Sequence, residues 1–246
     1  MKPDDSASEA LPEVIIETRN LSRVYPGVVA LDDVNYRVYR NKVNVLIGEN
    51  GAGKSMMMKM LAGVETPSSG QIFLDGEPVT LGSTHQAEKQ GISIIFQELN
   101  LFPNMNVMDN IFIANEYFQH GRINEAYQYQ LAKSLLERLE LDVDPLSPLG
   151  ELGIGHQQLV EIARALSKDT RVLIMDEPTS ALSQSEVKVL FNVIEQLKRR
   201  GVTIIYISHR LEELMEIGDH ITIFRDGRFI AERDVCDASV PWIIEQ

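Results

Sequence analysis

An α/β fold built on a mainly parallel sheet is what the sequence predicts, and three observations carry that expectation. Short, strongly apolar runs at Val172 to Met175, Thr203 to Ile207 and Ile221 to Phe224 alternate with helical patterns at Glu186 to Arg200 and Arg210 to Ile217. Strands alternating with helices imply parallel pairing with right-handed crossovers. An earlier apolar run containing Val43, Val45, Leu46 and Ile47 leads into a glycine turn and then a helix marked by Met57, Met58, Met60 and Leu61. Ahead of it, Val14 to Thr18 and Val34 to Tyr39 are rich in β-branched and aromatic residues and are expected to pair antiparallel around the turn at Pro26-Gly27.

The remaining elements follow in order. The first ten residues, MKPDDSASEA, lack the basic and apolar regions of a signal peptide, and residues 1–12 are expected to form a disordered tail. Gln71 to Leu74 runs as a strand into the Asp75-Gly76 turn, and Ile92 to Phe96 is a further strand. Strand signals then stop. Val107 to Ile113 and Glu125 to Leu141 show helical spacing, with Leu131, Leu135, Leu136 and Leu139 as an ordinary core stripe, so a helical lobe is expected over about 99–167. The stretch from Val143 to Gly155 is rich in Pro, Gly and Ser, and the helix after it places Leu159, Ile162, Ala163 and Leu166 on one face. Asp226-Gly227 turns the chain into a last strand near Phe229 to Ala231, and the ending VPWIIEQ suggests a chain cut from something longer.

Composition narrows the function. The 246 residues carry a formal charge of -13, which argues against nucleic acid or an acidic membrane surface as main partner, since such binding rests on Lys and Arg neutralising phosphates. The single cysteine, Cys236, excludes an internal disulfide. No run of about 18 apolar residues is present.

The chemistry begins at Gly48 to Ser55, GENGAGKS, between a strand and a helix. Glycines 48, 51 and 53 let successive amides converge on one anion, helped by the positive end of the helix. A triphosphate fits that cradle, with Lys54 reaching the β- and γ-phosphates and the Ser55 hydroxyl a ligand for Mg²⁺. Asp176 and Glu177 end a buried apolar run, where two adjacent carboxylates are costly unless a cation or a reaction employs them. Facing the cradle, Asp176 is expected to hold Mg²⁺ through water and Glu177 to act as general base toward the attacking water. Gln97 and His209 also fall at carboxyl ends of strands, where open α/β sheets bind ligands; His209 there is placed to donate to the γ-phosphate. His85, His120 and His220 read as structural. Tyr25, just before a turn, either stacks on a purine ring or packs beneath the turn.

GENGAGKS, Gln97, the helix opening LGIGHQQLVEIARAL, VLIMDEPTSAL and His209 follow one another in an order that resembles the ATP-binding subunits of ABC transporters. The resemblance covers the chain from about Val14 onward. VYPGVVALDDV, IFQELNLFPNMNVMDNIF and the ending near VPWIIEQ look most like the first half of the double ATPase of monosaccharide importers of the ribose, galactose and xylose class. It implies an ABC ATPase fold: a P-loop NTPase core with a mainly parallel sheet, an N-terminal antiparallel β subdomain and an inserted α-helical subdomain. One ATP-binding domain over 13–246 is implied, with a second half absent from this chain. The cofactors implied are ATP and Mg²⁺. By the same resemblance Tyr25 stacks on adenine. Gly48, Glu49, Asn50, Gly51, Ala52, Gly53, Lys54, Ser55 and Met56 surround the phosphates. Ser55 and Gln97 bind Mg²⁺ with Asp176 behind a water, Glu177 is the base, and His209 the γ-phosphate switch. Ser180 to Ser183 form the loop crossing to the partner domain. The implied partners are a membrane permease docked on the helical lobe, the second ATP-binding domain and, indirectly, an extracytoplasmic sugar-binding protein; the implied place is the cytoplasmic face of the membrane.

Two departures stand out. Most family members open the second helix with Leu-Ser-Gly-Gly-Gln, whereas this chain has Leu152, Gly153, Ile154, Gly155 and His156, so the serine hydroxyl that clamps the opposite domain's γ-phosphate is missing. Met56 stands where a threonine usually touches the α-phosphate. The altered 152–156 segment leaves open a regulatory half that binds nucleotide without hydrolysing it, and the shared motifs leave open a soluble ATPase of the same class unconnected with transport, against which the acidic balance and compact length argue.

Overall fold

The computed structural model describes residues 13–246, so the tail expected over 1–12 lies outside the described residues. A six-stranded sheet forms the centre, in the order β13 (Arg228–Asp234), β12 (His220–Arg225), β4 (Val43–Ile47), β11 (Thr203–Ile207), β10 (Val172–Asp176) and β7 (Ile92–Ile95). Neighbouring strands from β12 to β7 pair parallel, and β13 closes one edge antiparallel. Every residue of β4 and β11 is buried, as expected for strands covered on both faces.

Alternation along these strands divides the core in two. Val43, Val45, Leu173, Met175, Ile204 and Tyr206 face a cluster shared with Leu159 and Ile162 of α5 (Ile154–Leu166) and Leu190 and Ile194 of α6 (Gln184–Arg199). Leu46, Val172, Ile174, Ile205 and Ile207 point the other way. They meet Met57, Met58, Met60 and Leu61 of α1 (Lys54–Leu61) and the inner side of a second, antiparallel sheet. That sheet runs β2 (Val28–Val34), β1 (Val14–Tyr25), β5 (Ser69–Leu74), β6 (Glu77–Val79), with β3 (Arg37–Tyr39) also on β1.

The strand expected over Val34 to Tyr39 is in fact two. Asp33 takes a φ of 54°, and the Thr18 hydroxyl donates to the Val34 carbonyl (3.1 Å) while accepting from the Tyr36 amide (2.9 Å), replacing ladder bonds at the break. Strand β2 follows directly on the Pro26-Gly27 turn and is the hairpin partner of the far end of β1, while the expected antiparallel pairing of Val14 to Thr18 is made with β3. Helix α2 (Thr84–Lys89), capped by Ser83, leads into β7 and has no counterpart in the sequence reading.

Between β7 and β10 lie α3 (Val107–Phe112), α4 (Glu125–Arg138) and α5. Helix α4 stops three residues short of the expected Leu141, because Glu140 adopts a φ of 56° just beyond the cap. A small hairpin of β8 (Phe118–Gln119) and β9 (Arg122–Ile123) also interrupts this helical block. Its tip, His120-Gly121, has both φ values positive, the geometry of a two-residue turn whose twist matches the strands. Helix α7 (Leu211–Ile217) follows β11, and α8 (Val240–Glu245) ends the chain with Ser239 as its cap. Among the described residues no helix is long and apolar enough to cross a membrane.

Candidate active site

Strands β4, β11, β10 and β7 are neighbours in the sheet, so the segments leaving their carboxyl ends converge on one edge. They are the glycine loop, Ser208-His209, Asp176-Glu177 and Phe96-Gln97.

The glycine loop is held by its backbone. Gly51 and Gly53 have φ of 85° and 93°, in the left-handed region that favours glycine. A Cβ on Gly53 would come within 2.5 Å of Leu31 Cδ2, and one on Gly48 within 2.3 Å of the Phe224 carbonyl oxygen. Gly53 caps α1 with no side-chain hydrogen bond, and the first turn holds no acidic residue, so the positive helix end stays available to an anion. Lys54, only 8% exposed, folds back across the loop and donates to the carbonyls of Gly48 (2.6 Å) and Glu49 (2.9 Å). Burial lowers the pKa of its ammonium, against the pull of Glu177 and Asp176. Glu49, Asn50, Gly51 and Ser55 are exposed at the rim, and Ala52 is buried beneath.

Asp176 ends β10. Burial raises its carboxyl pKa, a hydrogen bond with the Ser55 hydroxyl works against that, and neighbouring Glu177 pushes it further up. Glu177 has a φ of 49°, and its amide donates to the Ile207 carbonyl (3.0 Å), fixing the turn against β11. That turn aims the carboxylate at His209, whose Nδ1 lies 3.4 Å from Glu177 Oε2. One shell thus brings together Lys54, Ser55, Asp176, Glu177 and His209.

The other expected residues sit around this shell. Tyr25, half-buried at the end of β1, places its hydroxyl 3.8 Å from the Met56 sulfur, and the Arg23 guanidinium covers one ring face at 4.6 Å from the centroid. Gln97 is exposed on the bend beyond β7, and its side chain makes no hydrogen bond among the described residues. His220 is buried, with Nδ1 3.0 Å from Asp234. His85 lies in α2 and His120 in the hairpin tip.

The altered segment opens α5 with Gly153 as an N-cap that has no side-chain bond. The Gly155 amide donates to Glu186 Oε1 (3.1 Å), while Glu186 Oε2 accepts from the Ser183 amide (2.8 Å) and hydroxyl (2.6 Å). These bonds, Ser183 foremost, hold the Glu186 carboxyl below the usual range. Sequence reasoning passed over Glu186, although Ser183 with a glutamate three residues on is a capping-box signature. It also passed over Glu213, buried behind the site, for which no local signal exists.

The family described as ABC transporter matches residues 31–180. Among similar proteins, a xylose import ATP-binding protein of Thermoanaerobacter pseudethanolicus is 49% identical over 89% of this chain and 44% of its own length. A ribose import ATP-binding protein of Rubrobacter xylanophilus is 45% identical over 88% of this chain and 43% of its own. The chain therefore spans less than half the length of these relatives. Among solved structures, an ATP-binding cassette of an ABC transporter in its ADP conformation superposes with a TM-score of 0.81 at 26% identity, over 94% of this chain and 97% of that one. The folded core of parallel sheet, antiparallel sheet and inserted helices is that of these cassettes, and the chain belongs to the ABC transporter family.

Proposed function

We propose that this chain binds Mg·ATP at the glycine loop and hydrolyses it to drive import of a sugar through a membrane permease. The observation that carries the reading is the meeting of Lys54, Asp176, Glu177 and His209 at the carboxyl ends of adjacent strands. The names of the two relatives above, ATP-binding proteins for xylose and for ribose import, support the sugar class.

The residues fit the cofactors. An uncapped helix end and a lysine that, among the described residues, bonds its own loop carbonyls suit a polyphosphate. Among the described residues no cluster of three or more His, Cys, Asp or Glu could hold a metal. A magnesium ion would instead rest on the hydroxyl of Ser55 and the carboxylate of Asp176, with phosphate and water oxygens and Gln97 completing a hard-oxygen set. That ion supplies charge neutralisation across the phosphates. Lys54 exchanges its carbonyl partners for phosphate oxygens. Glu177 takes the proton of the attacking water, and His209, within reach of Glu177, donates to the γ-phosphate. Tyr25, beside Met56 at the edge of the glycine loop, stacks its ring on adenine.

The rest of the reading concerns partners. The domain over 13–246 pairs with a second ATP-binding domain, its lobe over about 99–167 docks on the permease, and an extracytoplasmic binding protein delivers the sugar. The site then lies at the cytoplasmic membrane face. Phosphate release by this chain, alone and with the second half and permease added, tests the scheme. Stimulation by the partners is expected, and brisk cooperative turnover by the chain alone would contradict it. Glu177→Gln should retain ATP binding and lose turnover; unchanged turnover would remove Glu177 from the role of base.

A further inference from the structure

Behind the catalytic shell lies a buried carboxylate with no part in the reaction scheme above. Glu213, in the first turn of α7, is 7% exposed and accepts four hydrogen bonds. Its Oε2 takes Thr179 Oγ1 (2.7 Å), the Tyr206 hydroxyl (3.1 Å) and Ser208 Oγ (3.1 Å), and its Oε1 takes Arg210 Nη1 (3.0 Å). The Ser208 hydroxyl in turn accepts from the Arg210 amide (3.1 Å). Burial and the adjacent Glu213 charge raise the Tyr206 pKa, so its hydroxyl stays protonated as a donor.

The donors are what give this network meaning. Thr179 is two residues past Glu177, whereas Ser208 and Arg210 flank His209. One carboxylate therefore ties the turn that carries Glu177 to the turn that carries His209, and Tyr206 anchors the tie in β11. A charged acceptor with four donors is strong enough to fix geometry in a dry interior. We infer that Glu213 is a positioning residue that braces the Glu177 and His209 turns against each other and so sets the contact between their side chains. It touches neither substrate nor metal, and its kinetic role rests on the functional reading above.

Two variants grade the brace. Glu213→Gln retains an oxygen for the three hydroxyls but turns an amide donor toward Arg210, while Glu213→Ala removes every acceptor. Hydrogen exchange of the intact chain should show faster exchange at both 177–180 and 207–210 in each variant, with 54–61 unchanged. Turnover should fall roughly ten- to a hundredfold in the alanine variant and less in the glutamine variant, the loss expected from charged hydrogen bonds. The dissociation constant for Mg·ATP should stay within about twofold, since only the transition-state geometry is disturbed. Unchanged exchange at either turn in Glu213→Gln overturns the brace whatever the activity. So does an equal loss of affinity and turnover. A wild-type chain that neither binds nor hydrolyses ATP with its partners present would instead overturn the functional reading, while the exchange result would still decide the brace.

Discussion

Replacing Glu161 by glutamine should make the protein more stable, and increasingly so as pH rises. Glu161 lies on the inner face of α5, 6% exposed; Oε1 accepts from the Asn100 amide at 3.2 Å, and Oε2 is buried with no hydrogen-bond partner among the described residues. Burial pushes its carboxyl from the ordinary 4.5 up to about 7, with the Asn100 amide and the Arg164 charge pulling back. Because the folded pKa lies above the unfolded one, the group's contribution is complete below pH 4.5 and is lost as pH climbs through about 7. At about 1.4 kcal/mol per pH unit, holding the ionised side chain in the folded state costs about 3 kcal/mol above that range. Glutamine keeps the Asn100 acceptor and has no charge to bury. Urea or thermal unfolding of both proteins from pH 4.5 to 9 is the assay. The two curves should nearly coincide near pH 4.5, separate as pH rises to about 7 and stay apart by a constant amount above it, by roughly 5–10 °C in midpoint for a chain of this size. A gap that does not change with pH would refute the argument, because it would locate the cost in packing rather than in charge.

Two further substitutions test the site itself. Asp176→Asn should raise the unfolding midpoint at pH 7 to 8, since a carboxylate whose pKa is raised by burial and by Glu177 costs stability once ionised, and it should weaken magnesium-dependent nucleotide binding; a lower midpoint would contradict the sign of that shift. Gly53→Ala should destabilise by about 1–3 kcal/mol, because it combines a φ of 93° with a Cβ 2.5 Å from Leu31 Cδ2; a urea midpoint equal to wild type would show that the loop relaxes freely.

What the sequence made legible was local. The glycine loop declares itself because its residues are consecutive and their conformations are imposed by glycine. The strands of the central sheet declare themselves as unbroken apolar runs because both of their faces are covered, one by helices α5 and α6 and the other by α1 and the antiparallel sheet. Strand β2 went unread because VVALDDV mixes exposed and buried positions with two aspartates, and only the long-range bonds of Thr18 show where it ends. The β8–β9 hairpin went unread inside a helical block, although a His-Gly tip between Phe118 and Ile123 was a usable signal. Glu213 had none, since its meaning depends on donors such as Thr179, 34 residues away in the chain.

The same distinction bears on the altered opening of α5. From sequence, Gly153 in place of serine reads as a lost hydroxyl, which suggests a weaker clamp and nothing more. In the structure the remaining Gly155 amide already has an anionic partner, Glu186, and that carboxylate also caps α6 through Ser183. An anion brought to this helix end would therefore have to displace Glu186 Oε1 or share the helix end with it, while Oε2 of the same carboxylate holds the capping box of α6. The opening of α5 and the loop ending at Ser183 are thus tied by one side chain. Substituting that side chain alters both, so a serine restored at 153 would not by itself report on the missing hydroxyl unless Glu186 were changed in parallel.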